Sequence, residues 1–328
     1  MKILHLDENH EYLSLELEKY GFENHYDYKS SKKEILNKID DYYGIIIRSR
    51  ILIDKEIINY AKKLKFIARV GSGLENIDLV CAKKNMVKVL SAGEANSNAV
   101  GEHALGMLLN FLNNISISNT EIKNGVWERD KNRGIELADK VIGIIGFGKT
   151  GNSFAKKLYG FDCNVIFHDI KKIKSNKFAK SVSLDELKMK SDIISIHTDL
   201  NKSSFNLVNS NFIKSCQKKF ILINTSRGKC VNSNDLVKGL KNKKITGCCL
   251  DVLDFEKTSF EKINSNIDLE FLKNSKNVIL TPHIAGWTNE SKLKLSQEIV
   301  EKIKKIWKKI FWYYVLVIPV GVKWLKDI

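Results

Sequence analysis

Short apolar, β-branched runs alternate with helical patterns along the whole chain, the signature of parallel sheets covered by helices. Ile3 to Leu6, Gly44 to Ile47 and Lys65 to Val70 read as strands, with helices over Glu11 to Tyr20 and Lys55 to Lys63 between them, and Met86 to Leu90 closes this set. From Asn96 to about Lys123 a proline-free helical pattern with an apolar stretch at Leu105 to Leu109 predicts one long helix bridging two lobes. A second series begins with a strand at Val141 to Ile145 and a helix from Thr150. It continues with strands at Val165 to His168, Ile193 to His197, Phe220 to Asn224, Ile245 to Val252 and Val278 to Leu280. Six strands in one series predict a doubly wound sheet. Ser183 and Glu186 have capping-box spacing, which places a helix between the second and third of these strands. Ile299, Ile303, Ile306 and Ile310 share one face of the last helix, a face made for packing on a core.

Composition adds size and charge to this α/β outline. With 328 residues, 43% of them hydrophobic, the chain has enough apolar surface to fill the cores of two domains. The formal charge of +16 comes mostly from lysine, since only six of the 54 basic residues are arginine. Lysine is spread along the chain rather than gathered in a stripe, so general solvation explains it better than a nucleic-acid site. Met1 to Asp7 alternates apolar and polar residues and runs into Glu8, unlike a secretory signal, so a cytoplasmic protein is expected. The cysteines (Cys81, Cys163, Cys216, Cys230, Cys248, Cys249) show no metal-ligand spacing and are expected to be reduced and buried, with no metal site. Ile310 to Val322 is an uncharged run, shorter than the roughly 20 residues a membrane-spanning helix needs. A packed terminal element is expected there, with an interfacial membrane anchor as the alternative.

Gly146, Gly148 and Gly151 form GxGxxG directly after a strand and before a helix. The first glycine permits the tight turn, the second lets backbone approach a pyrophosphate, the third lets helix and strand pack closely, and the phosphates meet a helix N-terminus. Asp169 ends the next strand, where a carboxylate accepts ribose hydroxyls and repels a 2′-phosphate, so NAD is favoured over NADP, with Lys171, Lys172 and Lys174 nearby. Three later segments each follow a strand of the same sheet and bring a guanidinium (Arg227), a carboxylate (Glu256) and an imidazole (His283) to the carboxyl edge. That set suits hydride transfer at an alcohol or ketone carbon beside a carboxylate. Arg227 would clamp the carboxylate, His283 exchange the hydroxyl proton and Glu256 orient the imidazole.

These residues lie in VIGIIGFGKTG (Val141 to Gly151), INTSRGK (Ile223 to Lys229), GCCLDVLDFE (Gly247 to Glu256) and TPHIAG (Thr281 to Gly286), and through them the chain resembles the D-isomer-specific 2-hydroxyacid dehydrogenases over about residues 1 to 310. The resemblance implies that Arg227, Glu256 and His283 are the catalytic triad and that Asp251 lies near the nicotinamide carboxamide. It also implies an NAD(P)-binding Rossmann domain inserted in a discontinuous, flavodoxin-like substrate domain, with a cleft that closes on substrate. The expected division is residues 1–95, first substrate segment; 96–285, NAD domain; 286–310, return to the substrate domain; and 311–328, an apolar tail. The candidate NAD contacts are Gly146, Phe147, Gly148, Lys149, Thr150, Gly151, Asp169, His197, Thr198, Thr225, Ser226, Asp251 and His283.

Ile47-Arg48-Ser49, the segment Arg69 to Asp78 and Asn124 to Arg129 look most like the branch of the family that acts on 3-phosphoglycerate. By that likeness Arg48, Arg69 and Arg129 are phosphate-binding candidates, and guanidinium geometry suits phosphate better than an ammonium. Ser49, Val70, Gly71, Ser72, Gly73 and Asn96 are further substrate contacts, Glu102 is read as structural, and Arg129 would reach a neighbouring subunit's site, so at least a homodimer is expected. Glyoxylate, hydroxypyruvate and D-lactate enzymes share the triad and remain alternatives. A distant alternative is an NAD-sensing, non-enzymatic corepressor-like protein that keeps the fold; an elongated partner-binding insertion would support it, and the sequence shows none. The family usually places proline after its third-strand His-x and after its catalytic glutamate, where this chain has Asp199 and Lys257; the second change is expected to loosen the loop carrying Glu256. No regulatory domain is expected beyond residue 310.

Overall fold

The structure, a computed structural model, describes residues 1–256 and 266–317, with side chains through residue 307. The chain divides into two compact units, residues 1–95 with 292–328, and residues 96–291. The crossing back thus falls at Lys292, six residues beyond Gly286.

The first unit holds five parallel strands, β1 (Lys2–His5), β2 (Glu23–Tyr26), β3 (Gly44–Ile47), β4 (Phe66–Arg69) and β5 (Lys88–Ser91), in the flavodoxin-like order β2-β1-β3-β4-β5. Strand alternation divides the apolar residues between two layers. Ile45, Ile47 and Ile67 face one side with Ile35, Ile39 and Ile57. Ile46, Phe66 and Ala68 face the other with Leu13, Leu17, Ile299, Val300 and Ile303. Each fully buried isoleucine contributes roughly 1.5–3 kcal/mol, so the β-branched runs hold this sheet from both faces. Ile299 and Ile303 of the last helix (Asn289–Val317) are buried as its pattern predicts and Ile306 is partly buried, while the side chain of Ile310 and the residues from 318 lie outside the described set. Among the described residues no helix is long and apolar enough to cross a membrane.

The second unit carries β6 (Val141–Ile145), β7 (Asn164–His168), β8 (Lys180–Ser181), β9 (Ile193–Ile196), β10 (Phe220–Asn224), β11 (Ile245–Leu250) and β12 (Val278–Leu280), all parallel, in the order β12-β11-β10-β9-β6-β7-β8. This is the Rossmann arrangement with one further strand, and the order reverses between β6 and β9, where such folds bind ligands.

Four features depart from the sequence expectation. The sheet of the second unit has seven strands rather than six, because the two-residue edge strand β8 leaves no periodic signal. Strand β2 and the helices Lys32–Leu36 and Leu79–Lys84 were not expected; β2 reads ENHY, a polar edge strand without an apolar run. The long helix is two, Ser97–Leu112 and Ile115–Lys123, both inside the second unit. The break is Asn114, at a left-handed φ of 53° that asparagine tolerates, and Asn110 caps the new start by accepting from Ser116 N at 2.8 Å. Finally, Ser183 caps Leu184–Lys190 through Glu186 N at 3.1 Å, but the Glu186 carboxylate pairs with Lys190 rather than closing a reciprocal box.

Candidate active site

In the nucleotide-binding half, β6 runs into Gly146 at φ +87°, and a side chain there would meet His197 O at 2.6 Å. Gly151, in the helix Lys149–Lys157, packs on Gly146 O so closely that a Cβ would lie at 2.1 Å. At Gly148 a Cβ would meet nothing within 4 Å, so backbone at the helix N-terminus is open to a phosphate. Phe147 is buried on Phe167 as a parallel stack at 3.7 Å, and Asp169 fixes the same turn by accepting from Phe147 N (2.7 Å) and Lys171 N (2.8 Å). Each Asp169 oxygen keeps acceptor capacity for a ribose hydroxyl.

Among the described residues, three buried side-chain polar atoms have no hydrogen-bond partner: Asn9 Oδ1, His197 Nδ1 and Thr225 Oγ1. Two of the three end β9 and β10, beside the switch point, where buried polar atoms without partners call for a polar ligand. Burial holds His197 neutral, its pKa lowered to about 3, while its Nε2 meets Ser195 Oγ at 2.8 Å. A neutral imidazole, an open glycine backbone and a carboxylate with spare acceptor capacity fit a dinucleotide. Thr198 Oγ1 lies 3.5 Å from Cys230 Sγ, and Ser226 donates its hydroxyl proton to Asn224 Oδ1 at 2.9 Å.

The three triad candidates sit on loops that close on one another. His283 Nδ1 lies 2.7 Å from Glu256 Oε2, and Glu256 Oε1 accepts from Leu253 N at 2.5 Å. The Glu256 carboxylate thus ties the start of its own loop, while Lys257, where the family's proline is missing, lies outside the described residues. Arg227 precedes Gly228, and a Cβ on Gly228 would lie 2.0 Å from Leu253 C and O. The Arg227 and Glu256 loops thus abut backbone to backbone, and Asn224 pins the first by donating to Arg227 O at 3.0 Å. Asp251 is buried; burial alone would raise its pKa, but donors from His103, Thr281, Ala285 and Ile284 hold it below the usual carboxylate value.

The phosphate candidates of the first unit cluster at the carboxyl ends of β3 and β4. Arg48 O accepts from Arg69 Nε (3.1 Å) and Asn76 Nδ2 (3.1 Å), and the Arg69 guanidinium folds over Gly71, where a Cβ would lie 2.1 Å from Nη1. Asp7 Oδ2 accepts from Arg48 N at 2.7 Å. Burial lowers the Arg48 pKa while Asp7 and Glu8 raise it. Val70 and Gly73 are buried and Ser72 is exposed, while Ser49 is half-buried. Arg129 is not part of this cluster; it lies on an exposed segment of the second unit after Ile115–Lys123, a helix with no buried residue, beside Trp127 at 77% exposure. Asn96 packs on Gly286, and Glu102 accepts from Lys157 at 3.0 Å and Asn98 at 2.8 Å, joining two helices as a structural residue would. Cys216, Cys230, Cys248 and Cys249 are buried, but Cys81 and Cys163 are partly exposed, against expectation.

Two contributors escaped the sequence reading. Asp7 follows the end of β1, beside β3 as only the strand order reveals, and the one sequence signal for His103 is that it interrupts the buried stripe Ala99, Val100, Ala104, Met107 of its helix.

Fold and site define an NAD-binding oxidoreductase, and the chain belongs to the D-isomer-specific 2-hydroxyacid dehydrogenases: the model of that family's NAD-binding domain matches residues 105–285. It is 33% identical over 274 residues to a hydroxypyruvate reductase of Thermotoga maritima, covering 84% of this chain and 88% of that one. It is 32% identical over 276 residues to D-3-phosphoglycerate dehydrogenase of Archaeoglobus fulgidus, covering 83% of this chain but 51% of that protein, so it spans about half the length of that relative. The D-lactate dehydrogenase of Aquifex aeolicus, solved with NAD and lactic acid, superposes with a TM-score of 0.81 at 25% identity, covering 94% of this chain and 96% of that one.

Proposed function

We propose that this protein interconverts 3-phospho-D-glycerate and 3-phosphohydroxypyruvate with NAD, the entry step to serine, as a cytoplasmic homodimer or larger homo-oligomer. The observation that carries the substrate is the pair of arginines, Arg48 and Arg69, joined through one carbonyl at adjacent strand ends. In a chain whose basic residues are mostly lysine, two arginines at one loop cluster suit a phosphate.

In oxidation Arg227 clamps the substrate carboxylate. His283, with Nδ1 turned to Glu256, takes the hydroxyl proton at Nε2, and Glu256 stabilises the imidazolium that results. Gly146, Gly148, Gly151, Asp169, His197 and Thr225 hold the cofactor, and bound NAD supplies the acceptor for the hydride that leaves the carbinol carbon. In reduction the proton moves the other way. Arg129, with exposed Trp127, Val126 and Ile122, supports a subunit contact that completes a neighbour's site.

Asp7 and Glu8 beside Arg48 favour one second reading, a hydroxypyruvate or glyoxylate reductase, because they already offset the charge a phosphate would need. NADH oxidation with 3-phosphohydroxypyruvate, hydroxypyruvate and glyoxylate separates the two. A strong preference for the phosphorylated acid supports the proposal, and equal or faster turnover of glyoxylate overturns it.

A further inference from the structure

We propose that His103, on the helix Ser97–Leu112, is a positioning residue that acts on His283 through Thr281 and Asp251. His103 belongs to none of the motif segments and touches no residue proposed to exchange a proton. Its Nε2 lies 3.0 Å from Thr281 Oγ1 and 3.5 Å from Asp251 Oδ1.

The direction of the chain follows from counting protons. Thr281 has one hydroxyl hydrogen, and Asp251 Oδ1, an acceptor only, lies 2.6 Å away. Met107 Sδ at 3.8 Å is a weak competitor for it. With its proton committed to the carboxylate, Thr281 can only accept from His103, so His103 carries its hydrogen on Nε2 and is the outermost donor of the chain.

Asp251 is where this order is used. Its Oδ1 also accepts from Ile284 N (2.8 Å), its Oδ2 accepts from Ala285 N (2.8 Å), and its main-chain carbonyl accepts from His283 N (2.8 Å). These bonds wrap the turn in which His283 stands at φ +57°, a left-handed conformation uncommon for a residue other than glycine. His103 reaches this turn from the helical layer, as a donor where its helix neighbour Met107 offers only a weak acceptor. It fixes the Asp251 carboxylate in the rotamer that aims both oxygens at residues 284 and 285, and so fixes the imidazole opposite Glu256.

The inference rests on His283 as the proton-exchanging residue, and the experiment separates the two ideas. Rates of NADH oxidation are measured, with whichever of the three 2-oxo acids the wild type reduces fastest, for His103→Leu, His103→Gln, Thr281→Val, the double variant His103→Leu/Thr281→Val and His283→Gln. His103→Leu should lower kcat about tenfold, the effect of one lost hydrogen bond to a charged network, with substrate KM changed less than about twofold. His103→Gln, whose amide restores an N–H, should recover most of kcat. The double variant should be no slower than Thr281→Val, because the two residues act in one chain. Wild-type kcat in His103→Leu, no rescue by Gln, or additive losses in the double variant would each overturn the role of His103. Should His103→Leu fail to fold, the Gln variant and Thr281→Val still decide it: Thr281→Val with full kcat refutes the chain. Wild-type turnover in His283→Gln would instead sink the assignment of His283, and the inference with it.

Discussion

Gly228 is where the sterics of the candidate active site are tightest. The residue opens the short turn Gly228–Cys230 after Arg227, and a Cβ there would lie 2.0 Å from Leu253 C and O and 2.4 Å from Asp254 N. Ordinary contacts begin at 3.4 Å, so in Gly228→Ala two backbones must part by about 1.4 Å. Neither partner is a flexible side-chain end that could swing aside. Overpacking of this kind costs about 1–3 kcal/mol, which lowers Tm by several degrees in a protein of this size. The larger effect is on geometry, because one loop carries Arg227 and the other Glu256. A displacement of about 1 Å at reacting groups costs on the order of a hundredfold in rate. NADH oxidation with the preferred 2-oxo acid should therefore show kcat/KM reduced about a hundredfold in Gly228→Ala, while NADH affinity, measured by fluorescence titration, changes far less. An alanine variant with wild-type kcat/KM and wild-type Tm would refute the abutting-loop geometry.

Asp169→Ala removes the acceptor shared by Phe147 N and Lys171 N and, in the proposed cofactor site, by the ribose, so KM for NAD should rise roughly 10- to 100-fold, as expected for lost charge-assisted bonds, and discrimination against NADP should weaken; steady-state kinetics with both cofactors check this. Asp251→Asn sets an amide N–H against Ala285 N–H and should destabilise the protein at neutral pH. Because the folded pKa of Asp251 lies below its unfolded value, this carboxylate stabilises the fold above about pH 4 and the benefit fades as pH falls through the folded pKa. Denaturant unfolding of both proteins at stepped pH should show the gap closing towards acid. Trp127→Asp should lower the mass measured by light scattering if the exposed segment joins subunits, and an unchanged oligomer would count against that contact.

Apolar periodicity was a sound guide where strands are buried on both faces: β3, β6 and β10 run where the sequence placed them. The edge strand β12 was also placed by its apolar residues, but two other edges were missed. Strand β2 is polar and β8 has two residues, and an edge strand needs no apolar run to pair on one side. The break at Asn114 was hidden because the helical pattern continues through it, and the cap from Asn110 is a side-chain contact that propensity does not report. Glu256 and His283 were legible because each follows a strand end, and the sheet brings such ends together whatever lies between them in sequence. Asp7 was not, since it acts through a neighbouring strand, and His103 shows in the sequence only as a polar break in an apolar helix stripe, which does not say what it meets.

Arg69, folded over Gly71 and bonded to Arg48 O, is the residue proposed to read a phosphate. The measurement is the ratio of kcat/KM for 3-phosphohydroxypyruvate to that for hydroxypyruvate, in the wild type and in Arg69→Ala. The account predicts a wild-type ratio well above one that falls at least about tenfold in the variant, with the unphosphorylated acid little affected, as expected for one bidentate charged contact. A ratio near one in both proteins, or a high ratio that survives the loss of Arg69, would contradict it.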